Sequence, residues 1–263
     1  MAKEHGKRLA VVTGASAGIG AAFAAKLAEE GYNLIIVARS KERLASMAQK
    51  LTKKYQVNVE PHPADLTDPA ELRSVENVIS HHHDLDLLVN NAGFGTFGEF
   101  ASLDVGKEEE EIRLNVVALV RLTRAALGGM VKRKHGAVIN VSSVAAFQPA
   151  PFNATYAATK AFVNTFTESV HEELRSTGVY IQALCPGFTR TEFQERAGLD
   201  VSSLPEMVWM TADQVVDASL AAMRRQDLIC VPGFANRMLT TVTGVLPRAW
   251  VRRVGSSLMR RMK

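Results

Sequence analysis

The sequence predicts an α/β fold, a doubly wound parallel sheet of about seven strands with helices on both faces. Three observations predict it. Short aliphatic runs alternate with long amphipathic stretches through most of the 263 residues. Several of those runs are apolar on both faces, the pattern of buried parallel strands rather than of a half-exposed sheet. No linker, repeat or change of composition breaks the alternation, so residues 1–236 are expected to form one domain and residues 237–263 a basic amphipathic tail.

The strand-like runs lie at 9–13, 33–38, 58–62, 86–90, 137–142, 179–184 and 228–231. Helical stretches fall between them, near 18–30, 41–55, 69–82, 104–134, 154–177 and 212–225. Gly31 stands at the C-terminal position of the first helix and Asp213 near the start of the last, where each favours a helix boundary. Parallel strands joined this way cross over right-handed, which leaves few topologies.

With 47% hydrophobic but only 6% aromatic residues, the chain is expected to bury an aliphatic core. Cys185 and Cys230 sit in apolar runs and read as buried, reduced thiols of a cytoplasmic protein. The basic start, Met1 to Arg8, precedes an apolar run too short for a signal-peptide core. No uninterrupted apolar run approaches the ~18 residues of a membrane span. The chain is therefore expected to be soluble, or at most bound to a membrane surface. Its formal charge of +4 resides in the tail, where six arginines and Lys263 face no acidic residue from Arg237 onward. The net-acidic body carries no nucleic-acid footprint.

Chemistry concentrates in a few motifs. Tyr156 and Lys160 stand four residues apart, on one face of a predicted helix. An ammonium beside a phenol favours the phenolate, so Lys160 is expected to lower the pKa of Tyr156. Bringing a tyrosine from ~10 to ~7 takes roughly 4 kcal/mol, more than one ammonium supplies. Directly after the first strand, Gly14, Ser16, Ala17, Gly18, Ile19 and Gly20 form a G-x-x-x-G-x-G turn that opens a helix. Such a turn brings backbone amides and a helix N-terminus to a pyrophosphate. At the end of the second strand an acidic residue would bind the ribose hydroxyls of NAD. Here Ala38 is followed by Arg39, placed to pair with a 2′-phosphate, with Ser40 and Arg43 nearby. NADP(H) is therefore expected in preference to NAD(H), although Ala17 stands where a second basic residue would strengthen that choice.

In these motifs, joined by Asp65-Leu66, Asn90-Asn91-Ala92-Gly93, Asn115, Ser142-Ser143 and Pro186-Gly187, the chain resembles the short-chain dehydrogenase/reductase family over residues 8 to about 232. The resemblance implies a single-domain Rossmann-like fold and a set of roles. Tyr156 would exchange a proton with a carbonyl or alcohol oxygen. Lys160 would lower its pKa and hold the nicotinamide ribose, Ser143 would bond the reacting oxygen, and Asn115 would help hold a water leading from Lys160 to solvent. Asp65 and Leu66 would lie beside the adenine ring, and Asn91, Ala92 and Gly93 along the middle of the cofactor. Pro186, Gly187, Thr189 and Thr191 would hold the carboxamide and phosphates. Asn90 is expected to be a structural hydrogen-bonder.

Phe94, Ala145, Phe147, Phe152, Phe188 and Phe193 are candidates for an apolar substrate pocket, suited to a ketone, a 3-oxoacyl chain or a steroid-like molecule. The function expected is an NADP(H)-dependent oxidoreductase; the alternative is a non-catalytic NADP-binding sensor or scaffold of the same fold. The end of the domain departs from the segment that closes tetramers in many relatives. A homodimer through the helices holding Asn115 and Tyr156 is preferred, with a tetramer as the alternative. In the tail, Trp250, Val251, Val254, Leu258 and Met262 recur at helical spacing among arginines, interrupted by Pro247 and Gly255. That segment suits an anionic membrane surface, or packing on the substrate cleft or another subunit. His81-His82-His83 reads as a solvated helix end, with no metal expected, and Glu108 to Glu111 as an exposed helical face.

Overall fold

A computed structural model describes residues 8–201 and 205–246. The tail from residue 247 onward, with the amphipathic spacing noted above, lies outside the described residues. Seven strands alternate with helices: β1 (Leu9–Thr13), α1 (Gly18–Glu29), β2 (Asn33–Ala38), α2 (Lys41–Tyr55), β3 (Val59–Pro63), α3 (Pro69–His81), β4 (Leu85–Asn90), α4 (Val105–Ile112), α5 (Leu119–Arg133), β5 (Gly136–Val141), α6 (Ala154–Leu174), β6 (Val179–Leu184), α7 (Phe193–Arg196), α8 (Ala212–Arg225), β7 (Ile229–Cys230) and α9 (Phe234–Val245). All pairings are parallel, in the order β3-β2-β1-β4-β5-β6-β7. The chain winds outward from β1 in one direction to β3 and in the other to β7. Between β1 and β4 the following loops diverge, which opens a crevice at the carboxyl ends of the strands.

Two aliphatic layers hold the sheet. On one face Phe23, Leu27 and Leu44 of α1 and α2, with Val215 and Leu220 of α8, pack against Val12, Ile36 and Val89. On the other, Leu72, Val75 and Ile79 of α3 and Leu122, Ala126 and Met130 of α5 cover Val11, Leu88 and Ile181. β1 is buried at every position because both layers meet on it. Between the sheet and the helices α5 and α6 runs a polar row. Asn90 Nδ2 donates to Asn140 Oδ1 (2.9 Å) and Thr123 Oγ1 (2.9 Å), and Asn140 Nδ2 donates to Thr167 Oγ1 (3.0 Å). The structural role expected of Asn90 is the one observed.

α4 and α5 form one helix, Val105–Arg133, through a π-helical turn at Arg113–Ala118 that contains Asn115. By length and composition alone this helix could cross a membrane. Ala118, Leu122, Ala126 and Met130 instead belong to the apolar layer on the sheet. Two helices were not legible in the sequence, the short α7 and α9, and α6 ends at Leu174 rather than 177.

Candidate active site

The crevice is a cavity of about 1430 Å³, large enough for a dinucleotide and a substrate together. Its floor is set by Thr13 at the end of β1. The hydroxyl donates to Val89 O (3.3 Å) and accepts from the N–H groups of Asn91 and Ala92 (3.0 Å each), pinning the two diverging loops. Gly14 turns with φ +65°, and a Cβ there would stand 2.7 Å from Asn91 Nδ2 and 2.9 Å from Ala92 Cα. α1 begins at Gly18 with Ala17 at its N-cap and no capping side chain. Its first N–H groups are thus left for an anion, and Ser16, Ala17, Gly18 and Ile19 line the cavity. Gly20, expected to touch the cofactor, does not line the cavity. It lies behind the turn, where a Cβ would be 2.3 Å from Gly14 O.

At the β2 end of the crevice, Arg39 is exposed after β2, and Ser40 caps α2 by accepting from Arg43 N (3.3 Å). Asp65 and Leu66 line the same wall. Burial opposes ionisation of Asp65, but the hydroxyl and N–H of Thr67 (2.7 and 2.9 Å) and the Arg39 charge outweigh it and lower its pKa. Arg43 pairs with Glu192 across the crevice mouth (3.1 Å). Pro186, Gly187, Thr189 and Thr191 form the opposite wall, with Thr191 packed against Gly18.

Ser143, Tyr156 and Lys160 come together deeper in the cavity. Ser142 Oγ donates to Lys160 O (3.0 Å), tying the end of β5 to α6. Lys160 Nζ donates to Val141 O (2.8 Å) and lies 5.6 Å from the centre of the Tyr156 ring. The Ser143 side chain acts on the phenol, favouring its ionised form. The expected lowering of the tyrosine pKa is not what the structure gives. Burial pushes Tyr156 up to about 12, against the effect of Ser143, and pushes Lys160 down to about 8. Desolvation of the phenol is the dominant effect, and the neighbouring ammonium does not overcome it. Asn115 stands behind these groups, 1% exposed and off the cavity surface. Its side chain accepts from Phe94 N (3.2 Å) and donates to Phe94 O (2.8 Å) and Thr159 Oγ1 (3.1 Å), so it fixes the loop after β4 to α6.

This arrangement has known counterparts. A family model described as short chain dehydrogenase matches residues 8–201. The chain belongs to that family. A short-chain dehydrogenase from Sphingobium yanoikuyae, solved in complex with NADPH, is 37% identical with a TM-score of 0.83, covering 97% of this chain and 96% of that one. The bulky-bulky ketone specific alcohol dehydrogenase from Comamonas testosteroni is 31% identical with a TM-score of 0.79, covering 97% and 95%. The very-long-chain 3-oxoacyl-CoA reductase of Anas platyrhynchos is 32% identical over 248 residues, 92% of this chain and 77% of that protein.

Of the six candidate pocket residues in this short-chain dehydrogenase, Phe94 and Phe193 line the cavity, the Phe193 ring 5.4 Å from that of Tyr156. Ala145, Phe147, Phe152 and Phe188 do not line it. Phe188 packs on Trp209 and Phe152 on Phe97, while Ala145 and Phe147 lie in a short 3₁₀ turn, Val144–Phe147. The glutamate run is also corrected. Glu109 and Glu110 are surface residues paired with Arg113 and Lys107, but Glu108 and Glu111 are buried at 6% and 0% exposure. Glu111 precedes Asn115 by one helical turn and Glu108 precedes it by two. That shared spacing with Asn115 was the signal for a buried face.

Proposed function

We propose that this protein is an NADPH-dependent ketone reductase, working reversibly as an alcohol dehydrogenase on apolar substrates. The observation that carries the reading is the convergence of Ser143, Tyr156 and Lys160 on one wall of the cavity. When bound, the nicotinamide cofactor supplies or accepts the hydride. The phenol of Tyr156, which burial keeps protonated, donates its proton to the carbonyl oxygen. The Ser143 hydroxyl offers that oxygen a second donor as charge develops. Lys160, held on Val141 O, would hold the cofactor ribose and return a proton to Tyr156. The uncapped start of α1 and the glycine turn fit the pyrophosphate, and Arg39, Ser40 and Arg43 fit a 2′-phosphate. NADPH oxidation against a panel of bulky ketones and 3-oxoacyl thioesters tests the reading; these classes follow the activities of two similar proteins. A non-catalytic NADP-binding sensor would leave the whole panel unreacted, and retention of Ser143, Tyr156 and Lys160 argues against it.

The preference for NADP rests on Arg39. Arg39→Asp is expected to weaken NADPH binding roughly 10- to 100-fold, the worth of charge-assisted bonds to a phosphate, with little change for NADH. Titration of both cofactors by fluorescence decides it, and equal losses for the two would remove Arg39 as the phosphate reader. Val117, Val131 and Phe162 expose apolar side chains along the α5 and α6 side, with Phe162 stacked on Phe166. These support a homodimer across the two helices. Sedimentation should give the mass of two chains, and Phe162→Glu the mass of one.

A further inference from the structure

The buried glutamates of α4 flank the tyrosine. Glu111 Oε2 accepts from Thr96 N (2.9 Å) and Thr96 Oγ1 (3.0 Å). Thr96 O in turn accepts from Asn153 at the start of α6. Gly95, next in the loop, lies so close to the phenol that a Cβ would stand 2.8 Å from Tyr156 Cδ2. On the other side Glu108 accepts from Thr155, the residue before Tyr156. The Oε1 atoms of both glutamates are buried without a hydrogen-bond partner among the described residues. A glutamine could accept the same bonds without a charge, so burying carboxyls here needs another explanation.

We propose that Glu111 is a positioning residue for Tyr156, holding the Gly95–Thr96 loop against the phenol and using its own protonation to adjust how tightly the phenol keeps its proton. This rests on the reading of Tyr156 as the proton donor. The titratable groups facing Glu111 are Glu108 on its own helix and Tyr156 and Lys160 on α6. Cys185, after β6, faces the tyrosine and lysine in turn. Burial raises Glu111 to about 7; the Thr96 bonds and Lys160 oppose this and Glu108 adds to it. Once ionised, Glu111 raises the pKa of both Tyr156 and Lys160. The site thus strengthens its hold on the donated proton as pH rises, which extends the range in which Tyr156 can act as an acid. The sign for stability is the reverse. A carboxyl raised on folding contributes stability that is full below its ordinary value of 4.5 and is lost as pH rises through about 7.

The test needs no substrate. In protein carrying ¹³C-labelled tyrosine, the Tyr156 ring resonance, identified by its absence in Tyr156→Phe, should move with a midpoint near pH 7. In Glu111→Gln, which keeps an acceptor for Thr96, that step should vanish while the Lys160 step at higher pH remains. With a ketone substrate, the alkaline limb of reduction should move down by roughly one pH unit in Glu111→Gln. Glu111→Leu, which also releases Thr96, should lose roughly tenfold in turnover. A step near pH 7 that persists in Glu111→Gln, or is missing from the wild type, would overturn the inference. Turnover retained in Tyr156→Phe would overturn the proton-donor reading and this inference with it, whatever the resonance does.

Discussion

Tyr156→Phe is expected to lower turnover about 10³-fold while leaving NADPH affinity within a few-fold of the wild type. The loss is that of a positioned proton donor, about 4 kcal/mol of barrier. The ring keeps its contacts with Gly95 and Phe193, so packing survives the loss of the hydroxyl. Ser143 keeps the bond from Ala145 N (3.1 Å), which holds its hydroxyl on the wall. The measurement is NADPH consumption with the best ketone of the panel, alongside cofactor binding to each protein. A variant with near wild-type turnover would remove the phenol from the chemistry.

Gly20→Ala is the second large effect, on the fold as well as on the cofactor. Its Cβ would lie 2.3 Å from Gly14 O and 2.4 Å from Asn91 Nδ2, and one of those contacts is backbone. The glycine turn must move, and Asn91 must give up its bonds to Thr13 O (2.9 Å) and Gly14 O (3.3 Å). Overpacking of this kind costs about 1–3 kcal/mol. The lost amide bonds add about 1 kcal/mol each. At about 2–4 °C per kcal/mol, thermal unfolding should fall by roughly 6–20 °C. NADPH affinity should fall more than tenfold, because the displaced turn is the proposed pyrophosphate cradle. Gly31→Ala makes a useful contrast: a Cβ there meets nothing within 4 Å, so its penalty comes from φ +83° alone. Equal melting of the Gly20→Ala variant and the wild type would mean the turn is not packed as described.

Much of this was legible because parallel strands and a glycine turn leave local signatures. The seven strands fall within one or two residues of the aliphatic runs, and the G-x-x-x-G-x-G spacing lies where β1 meets α1. The short α7 and α9 escaped because their periodicity is too brief, or begins beyond the last strand, to stand out. The electrostatics of Tyr156 were misjudged for a tertiary reason. Spacing along a helix reveals the neighbouring ammonium but not the depth at which both groups are buried, and burial outweighs the neighbour. Four consecutive glutamates suggest solvent, yet two of them turn inward, a split that depends on which face of α4 meets α6. The phenylalanines were over-assigned because an aromatic near a site in sequence can pack on another aromatic instead, as Phe188 does on Trp209.

The row from Asn90 through Asn140 to Thr167 has a consequence for alignment. Strands apolar on both faces offer little to distinguish one pairing from another, since a slid strand still buries aliphatic side chains. Asn90 opposite Asn140 removes that freedom. A slip by one residue would turn an amide into hydrocarbon without its partner, a penalty of about 1–3 kcal/mol for each orphaned group. The amides therefore act as a vernier between β4 and β5, setting the height at which Asn91 and Ser143 emerge above the sheet and meet over the same cavity.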